Sequence, residues 1–471
     1  MIVPLALSQT AINVTYLVAG VCLIVGIRRL SAPRTARSGN VVAAVGMAIA
    51  LVFTLVDSDI DSYWLIAAGV AVGTVIGAVS ARRVKMTAMP QMVALFNGVG
   101  GGAAALIAAA EYHRLAPFSG HLPGDAIGAM LFSALIGSVS FSGSLIAFGK
   151  LQDLMPGRPI VFSGNQVVNG TLFGGLLVFG AVAGATEAGV WIVLLLAGAL
   201  AFGSLLVLPI GGADMPVVIS LLNAFTGLAA ASTGFVLDNT ALIIGGTLVG
   251  ASGTLLTILM GRAMNRSLAN VLFGAFGAQV AAVPGVAGGL STDGKSHREI
   301  TAEDAAVMLA YARKVVIVPG YGLAVAQAQH AVRELADMLE KRGVQVKYAI
   351  HPVAGRMPGH MNVLLAVANV PYPQLKDMDE INPEFPQTDV ALVIGANDVT
   401  NPAARSDASS PIYGMPILDV DHAANVVVLK RSMASGFAGI ENELYYNPKT
   451  AMLFGDAKSS VEKLAASLKQ V

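Results

Sequence analysis

The sequence contains few charged residues, and this shortage decides the class of protein. Charged residues make up 12% of the 471 positions and hydrophobic residues 55%, whereas an ordinary soluble domain has about 25% charged residues. A single water-soluble globule of this length cannot cover its surface with so few charges. The chain is also far too apolar to be disordered. The composition therefore excludes both a wholly soluble enzyme and a disordered protein.

The sequence also has only one cysteine and no net charge. The single cysteine, Cys22, lies in an apolar run and excludes an internal disulfide framework. Because 29 Lys and Arg residues balance 29 Asp and Glu residues, no excess positive charge is available to bind nucleic-acid phosphates. The sequence shows no metal-ligand spacing, no nucleophile elbow and no Walker loop. We therefore expect no nucleic-acid partner and no metal site.

The charges that are present divide the chain into two parts. Residues 1–290 contain 12 Lys and Arg and 9 Asp and Glu, which makes 21 charges, whereas residues 291–471 contain 17 and 20, which makes 37. The first part has the composition of a membrane protein and the second that of a soluble domain. The predicted architecture is a multi-span α-helical membrane domain over residues 1–262, a Gly/Ala-rich linker over 263–300 and a soluble α/β domain over 301–471.

Nine apolar stretches approach the roughly 20 residues needed to cross a membrane. They lie at about 11–27, 41–56, 63–80, 92–110, 126–149, 167–185, 190–209, 215–237 and 241–260. Eight or ten spans remain possible, since only residues 211–214 separate the seventh stretch from the eighth. Loops rich in Lys and Arg alternate with loops that carry few, and cytoplasmic loops hold the excess of cations. This alternation predicts an N-terminus outside the cell and a cytoplasmic C-terminal domain.

Polar residues occur within or next to several of these spans. Such side chains cost free energy in lipid and usually face a cavity or one another. The candidates include Asn97, Asp214 and Asn223, together with four serines of the fifth span, Ser138, Ser140, Ser142 and Ser144. Asp214 also precedes Pro216, where it is a good helix N-cap. A string of small polar groups at this depth favours conduction of protons or water over a site for a bulky solute.

Residues 314–350 have the pattern of a βαβ unit with a glycine turn. A β-branched strand over 314–318 leads into Gly320-Tyr321-Gly322, an amphipathic helix to about Arg342 and a second strand over 344–350. Glycines at such a turn permit the backbone to approach a pyrophosphate at a helix N-terminus. The second strand ends without the carboxylate that binds the ribose 2′-hydroxyl in NAD enzymes, so the pattern favours NADP.

Two further strands end in residues suited to the same ligand. Lys430 and Arg431 follow a strand over 425–429, and Asp398 follows a strand over 390–394. Ligands of open parallel sheets bind beyond the carboxyl ends of the strands. There the two cations can hold a phosphate and Asp398 can orient a nicotinamide. A solvated position for the cations and a turn-capping role for Asp398 remain alternatives.

The sequence resembles the β-subunit family of proton-translocating NAD(P) transhydrogenases. The resemblance rests on strings in the same order along nearly the whole chain, at residues 211–217, 263–267, 297–301, 319–322, 351–362, 395–398, 430–432 and 453–458. It implies hydride transfer between NADH and NADP⁺ coupled to proton translocation across the inner membrane. It also implies NADP(H) in a Rossmann-like domain of this chain, NAD(H) on a partner α subunit, and a dimer of α–β units.

The resemblance also implies which residues act. The implied NADP contacts are Gly320, Tyr321, Gly322, Val353, Ala354, Gly355, Arg356, Met357, Pro358, Gly395, Ala396, Asn397, Asp398, Val399, Gly414, Met415, Lys430, Arg431, Ser432, Gly436, Phe437, Asp456 and Ala457. Lys430, Arg431 and Ser432 would hold the 2′-phosphate, and Asp398 would lie at the catalytic site near the nicotinamide. Asp214 and Asn223 match positions of the proton path. Asn97 stands where some members carry a membrane histidine, and none of the seven histidines lies inside an expected span.

Two other classes of function remain open. The chain is alternatively an NADP(H)-gated transporter or channel, which would bind the nucleotide without hydride exchange even in the presence of its partner. A membrane NADPH oxidoreductase that reduces a lipid-soluble acceptor is disfavoured, because the spans contain no haem-type histidine pairs and the sequence shows no second flavin fingerprint.

Overall fold

The computed structural model describes residues 9–30, 33–57, 63–115, 124–152, 154–156, 159–162, 164–211, 214–264, 296–356, 359–408, 410, 412–436 and 438–471. The chain forms two compact units, the first comprising residues 1–212 and 217–257 and the second comprising 213–216 and 258–471. Most of the expected linker, residues 265–295, lies outside the described residues. The predicted domain boundaries at 262 and 300 therefore stay predictions.

Within the described residues, nine helices are long and apolar enough to cross a membrane. They are α1 (Gln9–Leu30), α2 (Pro33–Asp57), α3 (Tyr63–Arg83), α4 (Met89–Leu115), α5 (Gly124–Leu151), α6 (Asn165–Thr186), α7 (Gly189–Val207), α8 (Met215–Val236) and α9 (Thr240–Ala263). Each contains or largely overlaps one predicted span, so the multi-span α-helical architecture is confirmed.

Helix α4 extends beyond the apolar stretch predicted at about 92–110. Helix α4 ends at Leu115 and not near residue 110, so His113 lies in its last turn. The apolar stretch ends before the helix does, because a helix continues through polar residues once it emerges from the apolar layer. His113 is exposed there. The outward orientation of the N-terminus stays a prediction from the loop charges.

The second unit contains a six-stranded sheet in which all strands are parallel. Its strands are β1 (Lys314–Pro319), β2 (Gln345–Ile350), β3 (Leu375–Asp377), β4 (Val390–Ile394), β5 (Asn425–Lys430) and β6 (Thr450–Phe454), in the order β3-β2-β1-β4-β5-β6. Val316 pairs with Lys347 of β2 on one side and with Ala391 of β4 on the other. The chain order reverses between β1 and β4, which is the position where open α/β sheets bind ligands.

Seven α-helices of the described residues accompany the sheet. They are α10 (Ala302–Ala310), α11 (Tyr321–Val325), α12 (Gln329–Lys341), α13 (His360–Val367), α14 (Met378–Ile381), α15 (Ala403–Ser406) and α16 (Ala457–Leu468). The predicted N-cap of α10 is confirmed, because the Thr301 hydroxyl accepts a hydrogen bond from the Asp304 amide at 3.1 Å. The four central strands are buried almost throughout, as expected for a parallel sheet with both faces covered.

The structure corrects the helix expected after the glycine turn. The sequence predicts one helix to Arg342, but α11 ends after five residues and α12 begins only at Gln329. Between them Gln327 has a φ of 52°, which interrupts the helical backbone. The sequence analysis also did not anticipate β3, β6 or α16.

Lys150 is a buried cation at the end of a membrane helix. Its side chain lies in the last turn of α5, and the residue is only 2% exposed. The Nζ atom donates hydrogen bonds to the carbonyl oxygens of Leu208 at 2.5 Å and Ile210 at 2.7 Å. These carbonyls follow the last residue of α7, where the helix leaves acceptors unpaired and favours positive charge. Lys150 therefore ties α5 to the C-terminal end of α7.

We expect Lys150→Met to destabilise the first unit by about 2 kcal/mol, because the carbonyls of Leu208 and Ile210 lose a charged donor. The measurement is the apparent melting temperature of the full chain in detergent, followed by fluorescence of Trp64 and Trp191, which both lie in the membrane helices. Lys85→Met, at an exposed position, is the matched control. Equal melting temperatures for the two variants would contradict the structural role of Lys150.

Candidate functional site

The turns that follow β1 and β4 contact each other at the carboxyl edge of the sheet. The amide of Gly320 donates to the Ile394 carbonyl at 2.9 Å, and the amide of Gly322 donates to the Gly395 carbonyl at 3.0 Å. A Cβ atom on Gly320 would lie 2.3 Å from the Ala396 nitrogen, so only glycine fits there. The structure thus brings together two sets of predicted cofactor residues, 320–322 and 395–398.

The loop after β2 folds back onto the turn after β1. The guanidinium of Arg356 lies 4.6 Å from the centre of the Tyr321 ring, within cation–π range. The Arg356 amide donates to Nδ1 of His360 at 3.0 Å, and the His360 ring meets the Tyr321 ring edge-on at 6.0 Å. Gly355 has a φ of 109° and lies against the same histidine. Tyr321 and Arg356 therefore belong to one cluster, held by a buried histidine.

His351 connects this loop to a second predicted segment. Its Nδ1 accepts from the Val353 amide at 3.2 Å, while its Nε2 lies 2.8 Å from the Pro416 carbonyl and donates to it. Pro416 directly follows the predicted contacts Gly414 and Met415. Burial lowers the pKa of His351 to about 4, against a smaller opposing effect of the Pro416 carbonyl. The imidazole is therefore neutral at physiological pH and joins the two segments as one donor and one acceptor.

The cations after β5 differ from each other in their surroundings. Arg431 has a side chain that is 67% exposed, and its Nη2 donates to Asp456 at 3.1 Å. Lys430 instead turns inward, where its Nζ donates to the Ala434 carbonyl and lies 5.0 Å from the centre of the Tyr445 ring. Burial lowers the pKa of Lys430, and the negative charge of Asp398 opposes this shift. Arg431 is thus the more accessible cation for a phosphate.

Asp456 has two roles at the start of α16. Its Oδ1 accepts from the amides of Lys458 and Ser459 and so caps the helix, while Oδ2 accepts from Arg431. The Ser459 amide, followed by Arg431 and the Lys458 amide, holds the pKa of Asp456 below its usual range. Ala457, the next predicted contact, is the first residue of the helix.

Asp398 begins a short 3₁₀ turn directly after the β4 turn. Its Oδ2 accepts from the Ala438 amide at 3.0 Å, which holds the segment after Ser432 against it. Gly436 of that segment lies so close that an added Cβ would be 2.7 Å from Asp398 Oδ1. The negative charge expected beside the nicotinamide is therefore covered by the segment that carries Gly436.

The remaining predicted contacts are buried, make a local hydrogen bond or lie outside the described residues. Val399 belongs to the hydrophobic core of the second unit, and Val353 packs against that core. Ala354 is buried. Met415 packs with Ile412 and Ile417 in a smaller cluster. Ser432 accepts from the Ala434 amide at 3.4 Å. Met357, Pro358 and Phe437 lie outside the described residues.

In the first unit, Asn97 lies at the centre of a polar cluster. Its Nδ2 donates to Ser144 Oγ at 2.9 Å and to Ser140 Oγ at 3.3 Å. Ser140 in turn bonds Thr226 Oγ1 of α8 at 2.6 Å and donates to the Leu222 carbonyl at 2.8 Å. Buried polar groups in a membrane span are satisfied by one another in this way. The cluster joins α4, α5 and α8.

The other two predicted proton-path residues lie on or beside α8. Asn223 is half-buried, one turn before Thr226, and its side chain makes no hydrogen bond within the described part of the chain. Asp214 directly precedes the first residue of the helix and is half-buried. Thr226 belongs to the Asn97 cluster and lies three residues after Asn223 on the same helix, and the sequence analysis did not single it out.

The groups gathered at the carboxyl edge of the sheet fit a phosphorylated dinucleotide. They include an accessible guanidinium at Arg431 and a buried amide nitrogen of Asn397 that has no hydrogen-bond partner within the described residues. Strand β2 ends at Ile350 and His351 with no carboxylate. Asn442 and Tyr445, which contact Asn397, were missed because no motif or spacing connects residues more than 40 positions apart.

Comparison with known proteins identifies close relatives. A family model described as NAD(P) transhydrogenase beta subunit matches residues 12–467. The NAD(P) transhydrogenase subunit beta of Rhodospirillum rubrum is 52% identical over 459 residues, which cover 96% of this chain and 98% of the relative. A second sequence from a strain of the same species gives the same values.

The buried state of His351 predicts a pH dependence of stability. Its pKa is about 4 in the folded chain and about 6.5 in the unfolded chain, so on acidification the unfolded chain binds the proton first. Stability is therefore complete above pH 6.5 and is lost as the pH falls towards 4, by roughly 3 kcal/mol in total.

We expect His351→Asn to remove this acid-induced loss, because asparagine does not titrate. The measurement is the urea-induced unfolding of the second unit in the full chain between pH 4 and 7. Pulse proteolysis detects the unfolded fraction. His330→Asn, at an exposed position, should retain the wild-type pH dependence. An unchanged acid limb in His351→Asn would show that another group causes it.

Proposed function

The chain belongs to the NAD(P) transhydrogenase beta subunit family, and we propose that it holds NADP(H) in a complex that exchanges hydride with NADH and translocates protons. The observation that carries this proposal is the convergence of the turns after β1 and β4 with the cation Arg431 near one sheet edge. The chain contains a single sheet of this kind within its described residues. The NAD(H) site would lie on a partner α subunit, as the beta-subunit name of the family implies.

The residues that would hold NADP(H) have separate tasks. Arg431, with Lys430 and Ser432, would bind the 2′-phosphate, and the glycine turn at 320–322 would lie along the pyrophosphate. Tyr321 and Arg356 pack together and would form a wall of the same crevice. When bound, NADP(H) supplies the nicotinamide carbon that accepts or donates the hydride. The protein positions the two nicotinamides and excludes water, because direct hydride transfer needs no acid or base.

Proton movement would supply the driving force. The NAD and NADP couples are nearly isoenergetic, so a bias towards NADPH needs an external source. One charge that crosses a potential of 100 mV contributes about 2.3 kcal/mol, which corresponds to roughly a fiftyfold bias. Protonation in the membrane domain shifts the soluble domain between states of different NADP(H) affinity. Asp398 senses this change beside the nucleotide. Asp214 takes up the proton, and Asn223 and Asn97 line its path.

The cellular arrangement follows from the same proposal. Nine helices among the described residues are long and apolar enough to span a membrane. They support a multi-pass protein of the cell membrane, with residues 1–262 as the proton-channel domain. The NADP(H)-binding domain, residues 301–471, faces the cytoplasm, where it meets the NAD(H)-binding domain of the α subunit. Two α–β units form the complete enzyme.

The experiment that tests this function uses the chain co-purified with its partner subunit and reconstituted in vesicles. We expect NADH-dependent reduction of an NADP⁺ analogue together with proton movement across the vesicle membrane. The β chain alone should bind NADP⁺ but catalyse no exchange. Nucleotide binding without hydride exchange in the complete complex would instead favour an NADP(H)-gated channel.

The proposed role of Asp398 predicts the behaviour of Asp398→Asn. The substitution removes the charge but keeps an oxygen to accept from the Ala438 amide. We expect NADP(H) release to lose its pH dependence and proton pumping to fall at least tenfold, with NADP⁺ still bound. Both are measured in the reconstituted complex.

The control for this variant is Glu334→Gln, which neutralises an exposed carboxylate of the same unit and should behave as the wild type. Wild-type NADP(H) release and proton pumping in Asp398→Asn would disprove the sensor role.

A further inference from the structure

The side-chain amide of Asn397 is fixed by two donors that act on the same oxygen atom. The Tyr445 hydroxyl donates to Asn397 Oδ1 at 2.6 Å, and Asn442 Nδ2 donates to the same atom at 3.1 Å. Asn442 also donates to the Asn397 backbone carbonyl at 3.1 Å. An amide NH₂ group cannot accept hydrogen bonds. The two donors therefore determine which end of the Asn397 side chain is oxygen and which is nitrogen.

The opposite end of this amide is a buried donor without a partner. Asn397 Nδ2 makes no hydrogen bond within the described residues. It faces Gly436, where an added Cβ would lie 2.1 Å from the nitrogen. Buried donors are rarely left unsatisfied, and each exception calls for an explanation such as a ligand. Asn397 and Gly436 are both proposed cofactor contacts, which makes the cofactor the natural acceptor.

Both donors are anchored independently of any ligand. Asn442 is 1% exposed, and its Oδ1 accepts from the Leu444 amide at 3.0 Å, which caps the short helix that carries Tyr445. Tyr445 is 2% exposed and packs in the core, with the Lys430 ammonium over its ring. The orientation of Asn397 is therefore built into the fold before the cofactor binds.

We propose that Tyr445 and Asn442 are positioning residues that hold Asn397 Nδ2 as a hydrogen-bond donor to an oxygen of bound NADP(H). This inference rests on the proposed function, because it concerns how the NADP(H) site is preorganised for its ligand. The acceptor is an oxygen either of the nicotinamide carboxamide or of the ribose and phosphate groups. Gly436 permits this approach because a larger residue would occupy the space in front of Nδ2.

The test is the dissociation constant of NADP⁺, measured by calorimetry on the full complex with its partner subunit. Tyr445→Phe removes the hydroxyl but keeps the ring under Lys430. Asn442→Ser keeps a neutral side-chain oxygen that can cap the helix, but it is too short to donate to Asn397. We expect each variant to weaken binding about fivefold, as for the loss of one hydrogen bond. The double variant frees the amide to rotate and should weaken binding by more than the product of the two effects.

The matched control is Tyr446→Phe. Tyr446 is the neighbouring tyrosine, and its hydroxyl bonds the exposed Glu441 at 2.5 Å, away from Asn397. It should bind NADP⁺ as the wild type does. The melting temperature of the ligand-free complex, measured in parallel, should be similar in all single variants. If binding weakens only in proportion to a lowered melting temperature, the residues are merely structural and the proposal is wrong.

A second ligand locates the acceptor. 2′-Phospho-ADP-ribose lacks the nicotinamide. If the variants also weaken the binding of this ligand, the acceptor lies on the ribose or phosphate groups. If they bind it as the wild type does, the acceptor lies on the carboxamide. Wild-type affinity in all three variants, including the double one, would overturn the proposal. A wild-type complex that fails to bind NADP⁺ would instead refute the proposed function.

Discussion

The soluble unit depends on the close approach of two backbone turns at the centre of its sheet. Strands β1 and β4 are neighbours although two strands separate them in sequence, and their carboxyl ends are joined through Gly320, Ile394 and Gly395. Because Gly320 has no Cβ, the chain after β1 can pass directly over the Ala396 nitrogen. This contact fixes where Tyr321 begins its helix and where Asn397 and Asp398 emerge, so the predicted cofactor residues of both turns derive their positions from it.

Around this contact, the site is built from pairs that connect separate loops. His351 joins the loop after β2 to Pro416, Asp456 joins α16 to Arg431, and Asp398 holds Ala438. Each pair links a segment after one strand to a segment from elsewhere in the chain. Each pair therefore fixes the position of one loop relative to another part of the same unit.

The membrane unit also depends on hydrogen bonds between polar groups, but for a different reason. Its interior offers no bulk water, so polar side chains must satisfy one another or helix carbonyls. Asn97 does so through Ser140 and Ser144, and Lys150 through the end of α7. The resemblance to the family implies that some members carry a histidine at the position of Asn97. Its amide does not titrate, so the Asn97 cluster is a network of neutral hydrogen-bonding groups.

The sequence by itself determined the division of the chain into a membrane part and a soluble part, the nine predicted spans, the glycine turn and the strands that precede Asp398 and Lys430. These features follow from composition, from apolar runs and from short-range patterns, all of which lie within a few residues of one another. The resemblance to a family added the proposed roles of individual residues. The break between α11 and α12 escaped prediction because the apolar periodicity of 321–342 continues through it.

Only the tertiary structure decided which distant residues meet. Lys430 and Arg431 are adjacent in sequence, yet one turns inward over Tyr445 and the other outward to Asp456. The orientation of Asn397 is set by Asn442 and Tyr445, which follow it by more than 40 residues. No local pattern encodes such contacts, because they arise when parallel strands bring their carboxyl ends to one edge. Burial and hydrogen-bond partners are properties of that assembly.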